Sequence, residues 1–99
     1  MSAYRTLEIT ELVWNEWNVE HIARHGLTPP DVEAACTGVH IATDTYKQRV
    51  LLIGTTEAGQ AITVILDQIE KGQYFPVTAR PASRKERQTL VAILGKEAA

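Results

Sequence analysis

Apolar and polar residues recur along this chain with two different periods, and the change of period divides it. Through NEWNVEHIARHG, residues 15–26, Trp17, Val19, Ile22 and Ala23 fall at spacings that suit one helix face. A first helix is expected there, with Asn15 or Asn18 as N-cap and Gly26 as its stop. TPPDVEAAC predicts a second helix. Thr28 is its cap, the prolines occupy first-turn positions that need no N–H donor, and Asp31 suits the positive helix end. A short strand is expected ahead of both, around Leu7 to Trp14. Past Gly38 the period drops to two, in VHIATDTY, RVLLIGTT, AITVILDQI and QYFPVTAR. These β-branched and aromatic runs predict an antiparallel meander, with Gly59 and Gly72 supplying positive φ in its turns. RVLLI and ITVIL carry apolar residues on both faces, as central strands covered by helices do. A third helix opens with the Ser83-x-x-Glu86 capping box and continues through Leu90, Val91 and Leu94.

This order of elements predicts an α+β domain, an antiparallel sheet of about four to five strands packed by two N-terminal helices and a C-terminal helix. No repeat or linker interrupts it, so residues 1–99 are expected to form a single domain. A core this small gains from a partner chain, and a homodimer is compatible with it. MSAYRTLEIT lacks the pattern of a secretion signal, and no apolar run approaches the roughly 18 residues of a membrane span. A soluble, cytoplasmic protein without a membrane partner is the expectation. Cys36 is the only cysteine, which excludes an internal disulfide and a cysteine-ligated zinc cluster.

Charge changes the picture locally. The formal net charge is −2, yet residues 1–79 hold five Lys and Arg against ten Asp and Glu, whereas residues 80–99 hold five against two. An anion-facing end follows from that split, on a body too acidic for strong non-specific nucleic-acid binding. Arg84 and Lys85 sit in the first turn of the third helix, where each opposes the helix dipole by roughly 0.3–1 kcal/mol. An incoming phosphate reverses the sign, because free N–H groups, dipole and guanidinium forks then converge on one anion. Solvated side chains are the plainer reading of Arg84, Lys85 and Arg87. Arg80 differs in leaving the end of an expected strand, a rigid mount for a site residue.

The pieces Trp14-Asn15, HIARHGL, RVLLIGTTEAGQAITVIL and above all VTARPASRKER resemble the BrnT-like toxins of bacterial type II toxin-antitoxin pairs. That resemblance implies a RelE/ParE-like fold and a metal-independent endoribonuclease that inhibits translation. Its substrate would be RNA, including ribosome-bound mRNA, and its partner a cognate DNA-binding antitoxin, with no metal and no cofactor. The basic positions of the family fall here on Arg49, Arg80, Arg84 and Arg87 as RNA phosphate binders, and His25 occupies its His-Gly position. The chain departs from the family pattern at Gln60, at Tyr74-Phe75-Pro76 and at Leu90.

Metal-free RNA cleavage needs a base for the 2′-OH, charge stabilisation for the phosphorane and an acid for the leaving oxygen. Arginine supplies only the second, so the catalytic candidates are Arg80 for charge and Lys85 or His25 for proton transfer. Ser83 and Glu86 are assigned to the helix cap. His25 also suits a plain helix-end role, and His21 four residues earlier gives a zinc-compatible spacing without the glutamate of a His-Glu-x-x-His motif. Trp14 and Trp17 are expected in the core, with base stacking as the alternative. The competing function is a non-catalytic or degenerate toxin-fold protein that serves as a protein or nucleic-acid interaction module.

Overall fold

The structure, a computed structural model, describes residues 3–98. In chain order the elements are β1 (Glu11–Leu12), α1 (Glu16–Ala23), α2 (Pro29–Thr37), β2 (His40–Thr45), a 3₁₀ turn (Tyr46–Gln48), β3 (Arg49–Thr55), β4 (Ala61–Glu70), β5 (Gln73–Pro81) and α3 (Arg84–Ala98). They build an α+β fold with one five-stranded sheet in the order β1-β5-β4-β3-β2. The last four strands form the expected antiparallel meander. Gly59 and Gly72 take the positive φ that its turns require, at 87° and 80°.

The sheet is mixed rather than antiparallel, because β1 pairs with β5 in parallel, Glu11 opposite Gln73 and Leu12 opposite Tyr74. The strand expected from Leu7 to Trp14 also shrinks to two residues. Its first half is drawn off by other partners. Arg5 exchanges both backbone hydrogen bonds with Ala42 on β2, Leu7 N–H donates to His40 Nε2, and Thr10 N–H donates to the Gly72 carbonyl. The segment is thus a strap from the β2 margin to the β4–β5 turn, and Leu7 and Ile9 pack on the core from it.

Both asparagines proposed as caps of α1 serve together. Asn15 Oδ1 accepts from Asn18 N–H while Asn18 Oδ1 accepts from Asn15 N–H. The buried face of α1 consists of Asn18 and Ile22, whereas Val19 and Ala23 point outward and Trp17 is 54% exposed. The core placement expected for Trp17 is therefore corrected. The reason is polar: β1 stops after Leu12, and Asn18 Nδ2 donates to the carbonyls of Val13 and Pro76 where the ladder ends. Trp14 is half-buried against the core, its indole N–H on Glu33. In α2 the Asp31 carboxylate accepts from the N–H and the hydroxyl of Thr28.

Helices α1 and α2 cover one sheet face, where Ile22, Val32, Ala35 and Cys36 meet Leu52, Ile62, Val64 and Leu66. Gly54 is required beneath α2, since a Cβ there would lie 2.6 Å from the Ala35 carbonyl oxygen. On the other face α3 sets Leu90 against Ile41 and Ile53, while Val91 faces solvent. α3 shields only that end of the face. Arg49, Ile65, Asp67, Phe75 and Thr78 beyond it remain half-exposed.

Candidate functional site on the open sheet face

Strand alternation places Arg49 of β3, Thr63, Ile65 and Asp67 of β4, and Phe75, Thr78 and Arg80 of β5 on this one face. A register shift sharpens it. Thr78 lies opposite Ile65 but Pro76 opposite Leu66, which leaves Val77 as an extra residue in a β-bulge. A bulge turns neighbouring side chains toward the same side, so Val77 and Thr78 both face the open surface.

At the α3 end of the face, Arg80 makes a two-pronged ion pair with Glu86, Nη1 to Oε1 at 2.7 Å and Nη2 to Oε2 at 2.9 Å. Oε1 also accepts from Ser83 N–H at 2.8 Å and from the Thr63 hydroxyl at 2.9 Å, while Glu86 N–H donates to Ser83 Oγ. Ser83 and Glu86 thus close the cap, and the same carboxylate anchors the arginine. The Arg80 hydrogen bonds, above all, hold the Glu86 carboxyl at a pKa of about 2, and the same bonds raise that of Arg80. A carboxylate so engaged is a poor proton acceptor near neutral pH.

The other basic candidates separate by engagement. Arg87 Nη1 donates to the Ala82 carbonyl at 2.8 Å. Arg84 and Lys85 are exposed in the first turn of α3, and among the described residues neither side chain has an acidic partner. Arg49 sits at the opposite end of the face, its Nε 3.1 Å from Asp67 Oδ1. Arg80 and Arg49 are therefore both paired, whereas of the candidate cations Arg84 and Lys85 have no acidic partner among the described residues.

His25 joins a different group. Phe75, Trp17, His21 and His25 form a row of rings with successive centroids 6.1, 5.1 and 6.2 Å apart, running from the sheet face over its margin onto α1. Trp17 stacks on Phe75 and on His21, which fixes its indole despite its exposure. Among the described residues no hydrogen bond, ion pair or ring contact joins His25 to Arg80 or Lys85. His40, the third histidine, is buried; Nε2 accepts from Leu7 N–H, so Nδ1 carries the hydrogen that it donates to the Gly38 carbonyl. Among the described residues, no group of three or more His, Cys, Asp or Glu could hold a metal ion. No described helix is long and apolar enough to cross a membrane.

Two members of this surface and one contact on it were missed in the sequence. Thr63 is the polar residue inside ITVIL, and that break in an apolar strand was the available signal for the Glu86 contact. Asp67 left a weaker signal at the end of the same run. The pairing of Trp17 with Phe75, 58 positions apart, left none. No family model, curated protein or solved structure matches the chain.

Proposed function

We propose that the open sheet face and the first turn of α3 form the RNA-binding and cleaving surface of a toxin-like, metal-independent endoribonuclease. In this reading it is a BrnT-like member of the RelE/ParE-like toxins, inhibits translation in the cytoplasm and is neutralised by a cognate DNA-binding antitoxin. The observation that carries the proposal is the sharing of one face by Arg49, Arg80 and Phe75, the ring from which the row leads over the sheet margin onto α1, bordered by Arg84 and Lys85, which have no acidic partner among the described residues. Single-stranded RNA presents phosphates for the cations and flat bases for the rings. Arg84, Lys85 and the N–H groups of the helix start bind phosphate, Arg80 offers charge beside them, and Lys85 or His25 transfers protons.

The test is incubation with single-stranded RNA and with ribosome-bound mRNA in the presence of a chelator. Cleavage leaving a 2′,3′-cyclic phosphate is expected. It should fall at least tenfold in the Arg84→Ala/Lys85→Ala double variant, whose side chains are exposed and leave the core intact. Intact RNA under both conditions, together with harmless expression in a bacterial host, would sink the enzyme reading.

One observation favours a second reading, a non-catalytic interaction module on the same fold. Glu86 engages both terminal nitrogens of Arg80 and is itself held ionised by four hydrogen bonds. Under that reading the double variant loses RNA affinity although the wild type cuts nothing.

A further inference from the structure

Between the two ion pairs of the open face lies a cavity of about 150 Å³ lined by Thr45, Tyr46, Arg49, Ile65, Val77 and Thr78. We infer that this cavity is a base-binding pocket for a single pyrimidine of a bound RNA strand. The inference rests on the RNA reading above and adds to it a site and a preference.

Size argues first. A space of about 150 Å³ is of the size that takes one flat six-membered ring. The walls match such a ring. Ile65 and Val77 supply an apolar floor, and the bulge at Val77 is what brings two successive β5 side chains into it. Tyr46 stands at the rim, 80% exposed, with no hydrogen bond to its hydroxyl among the described residues. An aromatic ring left in water above an apolar floor is a place for another ring to stack.

The polar groups argue for a base rather than a plain apolar guest. Arg49 spends Nε on Asp67, and its two terminal nitrogens have no protein partner among the described residues. The hydroxyls of Thr45 and Thr78 likewise make no hydrogen bond within the described protein. Guanidinium nitrogens only donate, so they select an edge rich in acceptors, such as the ring carbonyls of uracil. A hydroxyl can meet the neighbouring N–H.

The backbone adds an independent sign. Tyr46 is carried on a hairpin turn in which Lys47 (φ 64°) and Gln48 (φ 61°) both occupy the left-handed region. Hairpin turns with positive φ favour glycine or asparagine, and here two long side chains take that strain in succession. Strain retained at one turn is characteristic of segments that hold a side chain for binding.

The experiment measures binding of r(U)8 and r(A)8 by fluorescence anisotropy to wild type, Tyr46→Ala and Tyr46→Phe. Wild type is expected to prefer r(U)8. Tyr46→Ala should weaken r(U)8 by about fivefold or more and erase the preference, while Tyr46→Phe, which keeps the stacking ring, stays near wild type. Because Tyr46 is exposed, neither variant disturbs the core. Tight but equal binding of both oligonucleotides, unchanged by Tyr46→Ala, overturns the pocket and leaves the RNA reading standing. If neither oligonucleotide binds, the RNA reading falls, and titration with uridine monophosphate decides the cavity: amide shifts confined to Thr45, Ile65 and Thr78 support a base site, and their absence removes it.

Discussion

Glu86 accepts four hydrogen bonds from Arg80, Ser83 and Thr63, and so it joins a strand end, a helix start and the sheet floor through one carboxylate. Glu86→Ala is expected to destabilise the protein by about 1–3 kcal/mol in urea denaturation, since it leaves a half-buried guanidinium and a helix cap without their acceptor. The acid dependence has a definite sign. The carboxyl titrates near 2 in the folded protein against an ordinary 4.5, so the unfolded chain takes up this proton first. The stability contributed by Glu86 is present above about pH 4.5 and drains away as pH falls toward 2. Denaturation midpoints measured down that range should drop more steeply for wild type than for Glu86→Gln. Cys36 presents the opposite shift. Burial, aided by the nearby Glu33 charge, pushes its thiol up to about 12. A disulfide reagent at neutral pH is expected to label the protein at the rate of its unfolding, and fast labelling under native conditions would show an accessible thiol instead.

At the scale of elements, the close seating of α2 on β3 depends on the missing side chain of Gly54. Gly54→Ala drives a methyl group to 2.6 Å from the Ala35 carbonyl oxygen and is expected to cost about 1–3 kcal/mol as the helix shifts away, measurable as a lower thermal midpoint. The meander, the second helix and the capping box of the third were legible because their signals are local: alternation, a Thr-Pro-Pro-Asp start and a Ser-x-x-Glu start. β1 and the face of α1 were not. Leu7 and Ile9 alternate as a strand would, yet the segment's hydrogen bonds go to Ala42, His40 and Gly72, partners that lie 33 to 62 positions away. The helical period of α1 placed Trp17 inward, and a buried asparagine facing the Pro76 carbonyl displaced it. The candidate site divides along the same line. Arg80 and the basic turn of α3 were visible as a cluster in sequence. The use of Glu86 to hold Arg80, the Arg49–Asp67 pair and the ring row were not, because they arise only once helices and strands pack together.

The whole molecule carries its charge unevenly, and that asymmetry sets how it should respond to salt. Arg80, Arg84, Lys85 and Arg87 gather at one end of an otherwise acidic body. For single-stranded RNA each neutralised phosphate contributes about −0.7 to the slope of log affinity against log salt, so engaging these four predicts a slope of about −3. A slope near zero would place the bound strand elsewhere. The strap and the buried asparagine have a consequence for solubility. A sheet margin with bare N–H and C=O groups is a template for another chain. Here Arg5 bonds across β2 at Ala42, while β1 and the Asn18 amide meet β5 from Gln73 to Pro76. Both margins are stoppered, one by a strand fragment and the other in part by a side-chain amide standing where a peptide group would be. Asn18→Ala is therefore expected to lose more than stability. It reopens the Pro76 carbonyl at the flank of a long twisted strand, and light scattering during mild heating should register self-association well before wild type does.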